Sequence, residues 1–139
     1  MEAIGRRSLL FATGALGLQA EARDEIYRVL ADMATDLANG LGRAFVKNFA
    51  EEMPGFAELS KNVDGLLAAA DVSASVELRE VNSEASRVVV QADWYLEMKS
   101  KRGISDVRQR REILRMEFAK VGKRWRVVGM SPVDFFRAA

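Results

Sequence analysis

The hydrophobic period of the chain changes at Val72, and this change constrains the fold more than any other feature of the sequence. Before Val72, apolar residues recur at spacings of three and four, as one face of an α-helix requires. From Val72 onward, apolar and polar residues alternate, as they do in a half-buried β-strand. We therefore expect a helical half followed by a strand half, with the helices lying across one face of the sheet.

The helical half divides into three segments at Asn39-Gly40 and at Pro54-Gly55, which are residue types that end helices. Each segment carries a single apolar stripe, so none of the three helices is expected to be stable alone. The stripes are Ile26, Leu30, Met33 and Leu37; Leu41, Phe45 and Phe49; and Phe56, Leu59, Val63, Leu66 and Ala70.

The strand half contains four alternating segments, which predict an antiparallel sheet joined by consecutive hairpins. The predicted fold class is α+β: three N-terminal helices packed on a curved four-stranded antiparallel sheet. Asp93 and Tyr95 are expected to face away from the helices. The side chains expected to face the helices are Val72, Ala74, Val76, Leu78, Val88, Val90, Ala92, Trp94, Leu96, Met98, Leu114, Met116, Phe118, Trp125 and Val127.

The register of the hairpins follows from the requirement that apolar residues lie opposite apolar residues. One hairpin is expected to close at Gly122-Lys123, and another about a charged loop near Ile104. The pairs expected on the inner face are Phe118 with Val127, Met116 with Gly129, Trp94 with Leu114, Ala92 with Met116, and Val90 with Phe118. On the outer face we expect Asp93 opposite Arg115 and Glu97 opposite Arg111.

Residues 1–22 have the three parts of an export signal. Arg6 and Arg7 precede an apolar run of about ten residues, and Ala20-Glu21-Ala22 supplies a cleavage site. The arginine pair resembles a twin-arginine motif, which predicts a protein of the bacterial periplasm. The apolar run is too short to span a bilayer, so no membrane span is expected. The alternative is an N-terminal amphipathic helix on a cytoplasmic protein, and the domain proper is residues 23–139.

The chain has 139 residues, enough for one ordinary domain, and contains neither His nor Cys. Thiol nucleophiles, imidazole acid–base catalysis, disulfides, and thiolate or imidazole metal sites are therefore excluded. We expect no metal and no cofactor.

The net charge of +1 conceals an asymmetry between the two halves. Residues 24–71 carry nine Asp and Glu against four Lys and Arg, whereas residues 87–126 carry twelve Lys and Arg against five Asp and Glu. No aromatic residues are interleaved with the basic run, so we expect no nucleic-acid binding. The run is interpreted as a solvated hairpin with cross-strand partners; the alternative is a protein-interaction module that uses the basic hairpin.

Three stretches together resemble the nuclear transport factor 2-like superfamily, which includes SnoaL-like and ketosteroid isomerase-like proteins. They are Met53 to Leu59, the strand from Val88 to Met98, and Lys123 to Val128 with its central Trp125. The resemblance implies a cone with a pocket between helices and sheet, and homodimerisation through the outer sheet face. The apolar residues expected on that outer face are Tyr95, Ile113 and Val128.

No catalytic residue of the superfamily falls on a matching position of this chain. The inner face carries no acid, although proton transfer next to a carbonyl requires a carboxylate base. We therefore expect a non-catalytic domain that binds a small apolar ligand in the cone. The residues expected to line the pocket are Tyr27, Trp94, Met116 and Trp125. The alternative is an isomerase or dehydratase that uses Tyr27 with a helix carboxylate, although Asp32 and Asp36 are expected on a solvated face.

Overall fold

The computed structural model describes residues 2–84, 86–103 and 106–139, with side chains from residue 20 onward. Three helices precede four strands in this part of the chain, and the strands form one antiparallel sheet in the order β1-β2-β3-β4. The predicted fold class is therefore confirmed. The elements are α1 (Glu2–Ala38), α2 (Gly42–Val46), α3 (Phe56–Ala69), β1 (Ala70–Glu84), β2 (Arg87–Ser100), β3 (Val107–Val121) and β4 (Arg124–Ser131).

Helix α1 ends where the sequence predicts. Gly40 adopts a φ of 71°, a left-handed conformation that favours glycine. The amide of Gly40 donates to the carbonyl of Leu37, and the amide of Leu41 donates to that of Asp36. These two bonds satisfy carbonyls that the last turn would otherwise leave unpaired. The chain can therefore turn back sharply into α2.

The predicted leader, residues 1–22, falls almost entirely within the first half of α1. The side chains of residues 1–19 lie outside the described part, so the export signal stays a prediction. Among the described residues, no helix combines the length and the apolar character needed to cross a membrane.

The pairing of β2 with β3 differs from the predicted register by two residues. Trp94 lies opposite Glu112 instead of Leu114, and Ala92 lies opposite Leu114 instead of Met116. Val90 likewise pairs with Met116 instead of Phe118. The reason is the hairpin turn, which is centred on Gly103, at a φ of 75°, one residue before the predicted centre. Because a shift of two residues preserves the side-chain alternation, every inward residue still faces inward.

The pairing of β3 with β4 begins as predicted and then shifts at a bulge. Phe118 lies opposite Val127, but Met116 lies opposite Met130 instead of Gly129. The irregularity falls between Glu117 and Phe118, and it places one extra residue, Val128, in β4. Alternation of side chains alone does not reveal such an insertion.

The core lies between the helices and the inner face of the sheet. Ile26, Leu30, Met33 and Leu37 of α1 are fully buried there, as their spacing predicts. The C-terminal tail, residues 132–139, adds two more fully buried side chains, Phe135 and Phe136. The tail therefore belongs to the packed interior and lies beside β2 and β3.

Candidate functional site

The candidate site is the region between the helices and the inner face of the sheet, and we call this region the chamber. The inner face of the sheet forms its floor. Its central residues are fully or almost fully buried and apolar: Val88, Val90, Ala92, Trp94, Leu96, Met98, Leu114, Met116 and Phe118. Among the described residues, the one buried charged side chain is Asp93, which alternation places on the outer face. Glu80 and Glu112 share the predicted alternation of the inward residues, and both side chains are exposed. The described chamber floor thus offers no carboxylate for proton transfer.

Aromatic rings from three elements fill the chamber. Phe136 of the tail packs edge-to-face on Trp94 of β2, with ring centroids 5.1 Å apart and an interplanar angle of 89°. The same ring lies 4.9 Å from Phe45 of α2 and 5.0 Å from Phe135. Such edge-to-face pairs are favourable beyond their burial of apolar area. Phe136 is therefore the residue that joins the helical layer to the sheet at this point.

The Trp94 indole carries the one buried side-chain polar atom without a hydrogen-bond partner in the described part of the chain, its Nε1. A buried indole N–H usually finds an acceptor, because leaving it unpaired costs about 1–3 kcal/mol. The aromatic rings around it offer no oxygen acceptor. The chamber thus contains a hydrogen-bond donor that the protein itself leaves unused.

Arg110 of β3 holds the tail in place. Its guanidinium donates to the main-chain carbonyls of Phe135, Arg137 (2.7 Å) and Ala138 (3.3 Å). It also lies 5.9 Å from the centre of the Phe135 ring. Burial, followed by the nearby positive charge of Arg137, lowers the pKa of the Arg110 guanidinium. Arg110 therefore fastens the tail at the rim of the chamber.

The structure places the four predicted pocket residues in two kinds of environment. Trp94 and Met116 are fully buried members of the core cluster, whereas Tyr27 is 50% exposed and lies outside it. Trp125 is partly buried against the core, and its Nε1 donates to the carboxylate of Glu25 on α1. Trp94 and Met116 thus belong to the same buried cluster, and Tyr27 lies outside that cluster. Their role as pocket residues stays a prediction.

The sequence predicts that Phe135 and Phe136 dock on the core, and both are fully buried. Sequence reasoning did not assign Phe45, Phe136 or Arg110 to the pocket. Phe45 belongs to the predicted α2 stripe, but no periodicity indicates which ring a helix will bring to a strand. Arg110 did carry a signal, since it shares the inward parity of Leu114 on β3. An inward arginine needs acceptors, and the guanidinium of Arg110 finds them in the main-chain carbonyls of the tail.

The outer face of the sheet is built from opposite charges. Arg111 donates to both carboxylate oxygens of Asp93 (3.1 and 2.8 Å), and Arg79 donates to Oδ2 at 2.9 Å. The hydrogen bonds from Arg111 and then Arg79 lower the pKa of Asp93 to about 2. The predicted pairs, Asp93 with Arg115 and Glu97 with Arg111, are therefore wrong. Asp93 lies opposite Ile113, and Glu97 lies opposite Gln109, because of the two-residue shift.

A second ionic group lies nearby on the outer face, around Glu117. Its carboxylate accepts hydrogen bonds from Arg115 (2.6 Å) and Arg87 (3.0 Å), and these lower its pKa. Of the predicted apolar residues on this face, Ile113 is 52% exposed, and Tyr95 and Val128 are half-buried. This face thus combines an exposed apolar residue with charges of both signs.

Comparisons with known proteins establish the fold. No family model matches the chain, and no curated protein matches its sequence. A conserved protein from Planctomyces limnophilus has a similar structure at a TM-score of 0.67 and 10% identity, over 80% of this chain and 94% of that one. A nuclear transport factor 2-like protein with a cystatin-like fold, from Novosphingobium aromaticivorans, matches at a TM-score of 0.64 and 16% identity, over 86% and 84%.

An enzyme also has a similar structure. A type 2 hexachlorocyclohexane dehydrochlorinase, LinA, matches at a TM-score of 0.63 and 12% identity, over 80% of this chain and 83% of that one. Identities this low concern the fold and not the activity. The chain therefore has the nuclear transport factor 2-like, cystatin-like fold, as its resemblance predicts.

Proposed function

We propose that this chain is a non-catalytic domain of the nuclear transport factor 2-like fold that holds a small, largely apolar ligand in its chamber. The observation that carries the proposal is the floor of the chamber, where buried apolar residues occupy the inward positions of β2 and β3. Isomerases and dehydratases move protons, and a proton needs an ionisable group beside the reacting atom. The described floor supplies only the indole N–H of Trp94, which donates but does not titrate.

The proposed domain forms a homodimer through the outer face of the sheet. Ile113 is an exposed apolar residue at its centre, and Asp93, Glu117 and their arginines surround it. A face with both signs of charge can pair with its own copy about a two-fold axis. Sedimentation should show a dimer that Ile113→Lys dissociates, whereas Val121→Lys, an equally exposed position at the end of β3, should leave it intact. A wild-type chain that sediments as a monomer at high micromolar concentration would remove the dimer.

The proposed location is the bacterial periplasm, on the strength of residues 1–22. N-terminal sequencing of the protein from its native host should find a mature start near Arg23. An intact Met1 in the cytosolic fraction would instead support the amphipathic-helix alternative.

A second candidate function is an enzyme of the isomerase or dehydratase kind, and Asp36 favours it. Burial and then the charge of Asp32 raise the pKa of the Asp36 carboxyl, as befits a general acid. Tyr27 lies on the same helix but is 50% exposed, and Asp36 lines a separate cleft with Thr35 and Asn48. The two groups of that candidate thus have different surroundings, which favours the non-catalytic proposal.

A third candidate is the protein-interaction module, which would use Lys99, Lys101, Arg102 and Arg108 at the exposed end of the β2–β3 hairpin. It predicts salt-sensitive binding to an acidic partner. Binding that does not change between low and high salt would exclude it.

The ligand itself is tested by native mass spectrometry on protein from the native host. We expect a species heavier than the chain by the mass of one small organic molecule, which collisional activation releases. If independent preparations all show the mass of the bare chain and no heavier species, the ligand-holding proposal is contradicted.

A further inference from the structure

We propose that the C-terminal tail, residues 132–139, is a displaceable plug, and that an arylalkanoic acid takes its place. The aromatic ring of the ligand would occupy the position of Phe136, and its carboxylate would replace the tail carbonyls at Arg110. This inference deepens the proposed function and rests on it.

Phe136 fills the chamber with an aromatic ring that a free molecule could replace. Its ring is fully buried and contacts the indole of Trp94 and the ring of Phe45, which come from the two layers of the fold. Phe136 follows the last strand, so it fills the chamber from a terminal segment. A free aromatic molecule can offer the same ring surface to Trp94 and Phe45.

Arg110 is a cation that lacks an anionic hydrogen-bond partner among the described residues. Its three acceptors are all neutral main-chain carbonyls of the tail, and none of the ion pairs among the described residues includes it. A partly buried guanidinium binds a carboxylate more strongly than a carbonyl, often through two parallel hydrogen bonds. Burial and the nearby charge of Arg137 lower the pKa of this guanidinium, whereas the charges of Asp134 and Glu112 raise it. A ligand carboxylate would therefore compete well with the tail at this position.

The contacts of Arg110 limit the length of the ligand. Arg110 binds the carbonyls of Phe135 and Arg137, on either side of Phe136, so the guanidinium lies beside the main chain of Phe136. The shortest path from the Phe136 ring to a bound carbonyl runs through Cβ, Cα and the main-chain nitrogen to the carbonyl carbon of Phe135. The matching free molecule is therefore an acid with a short saturated linker between its ring and its carboxylate, and 3-phenylpropanoate is a probe of this class.

The plug leaves a buried hydrogen-bond donor of the chamber unpaired. With Phe136 in place, Trp94 Nε1 remains buried without an acceptor. A ring that carries an oxygen substituent could supply one, whereas phenylalanine cannot. The plugged chamber thus keeps a cost that a bound ligand can relieve.

The test is a titration of the full chain with 3-phenylpropanoate and with its neutral analogue 4-phenyl-2-butanone. Binding is followed by the ¹H–¹⁵N signal of the Trp94 indole, assigned by its loss in Trp94→Phe. In the wild type both compounds should shift this signal. In Phe136→Ala, which vacates the ring position, both should bind at least about tenfold more tightly. Phe118→Ala, an equally buried phenylalanine on β3, should show no such gain.

The role of Arg110 is tested by Arg110→Met, with Arg108→Met as the matched control on the same strand. Arg108 is 63% exposed, and its ion-pair partner among the described residues is Asp106. Loss of the Arg110 guanidinium should lower the affinity for the acid, relative to the ketone, by at least about tenfold. The Arg108 variant should leave this ratio unchanged.

Two results would overturn the inference while sparing the proposed function. The first is that the wild type and Phe136→Ala bind the two compounds with equal affinity. The second is that Arg110→Met leaves the ratio of the affinity for the acid to the affinity for the ketone unchanged. If neither compound binds folded Phe136→Ala, the inference falls, and native mass spectrometry of the protein from its host decides the ligand-holding proposal separately. If Phe136→Ala does not fold, Phe136→Leu replaces it, and the same comparison with Phe118→Leu decides the outcome.

Discussion

At the scale of single residues, Asp93 shows how the outer face is stabilised. The carboxyl group is 6% exposed, and Arg111 and Arg79 donate three hydrogen bonds to it. These bonds hold its pKa at about 2, below the value of about 3.9 in an unfolded chain. A depressed pKa stabilises the fold at every pH above the unfolded value, and this contribution is lost as the pH falls toward 2.

Replacement of Asp93 by Asn should therefore flatten the dependence of stability on pH between about 4 and 2. At pH 7 the variant should lose about 1–2 kcal/mol of unfolding free energy, a modest amount because both guanidinium groups are largely exposed. Urea unfolding across this pH range measures both effects. Asp106→Asn, an exposed carboxylate paired with Arg108, is the control and should change little. Equal pH profiles for wild type and Asp93→Asn would contradict this account.

Two glycines, one at the start of α3 and one within it, should respond oppositely to alanine. Gly55 has a φ of 83°, and a Cβ there would lie 2.9 Å from Cγ2 of Val133 in the tail. Gly55→Ala should therefore cost about 1–3 kcal/mol. Gly65 lies within α3 with nothing inside 4 Å of its Cβ position, so Gly65→Ala should stabilise by about 0.5–1 kcal/mol. Thermal unfolding of the two variants measures both signs, and a stabilised Gly55→Ala would refute the tail position.

At the scale of elements, periodicity predicts the faces but not the register. The alternation of β2 and β3 identifies the apolar inward residues, but not Arg110, which shares their parity. Several registers that differ by two residues satisfy this alternation equally, and the observed one centres the turn on Gly103, which has a positive φ. The bulges beside Arg79 and Val128 likewise leave no mark on the apolar pattern.

The register of β2 and β3 is tested by double-mutant cycles on alanine variants. Asp93 and Arg111 should couple by about 0.5–2 kcal/mol, because their side chains are hydrogen-bonded. Asp93 and Arg115, which the sequence alone would pair, should be additive within about 0.5 kcal/mol. The reverse result would restore the register predicted from the apolar pattern.

At the scale of the whole molecule, the chamber combines segments that are far apart in the chain. The sequence predicts an acid-free floor, because strand alternation alone decides which residues face inward. It does not predict that Phe136 meets Trp94 and Phe45, since these contacts depend on where the tail crosses the sheet. Arg110 holds the tail by donating hydrogen bonds to its main-chain carbonyls. Every residue carries such a carbonyl, so the sequence pattern does not indicate which ones Arg110 binds.

The central claim is that this chamber holds a ligand without moving its protons. It is tested most directly with 4-phenyl-2-butanone in D₂O, whose hydrogens next to the carbonyl exchange when a base removes them. Proton NMR follows the loss of these hydrogens with the wild type and with Phe136→Ala at saturating protein. We predict the exchange rate of the buffer alone in both cases. An acceleration that saturates with protein and is lost on heat denaturation would show a catalytic base in the chamber and contradict the account.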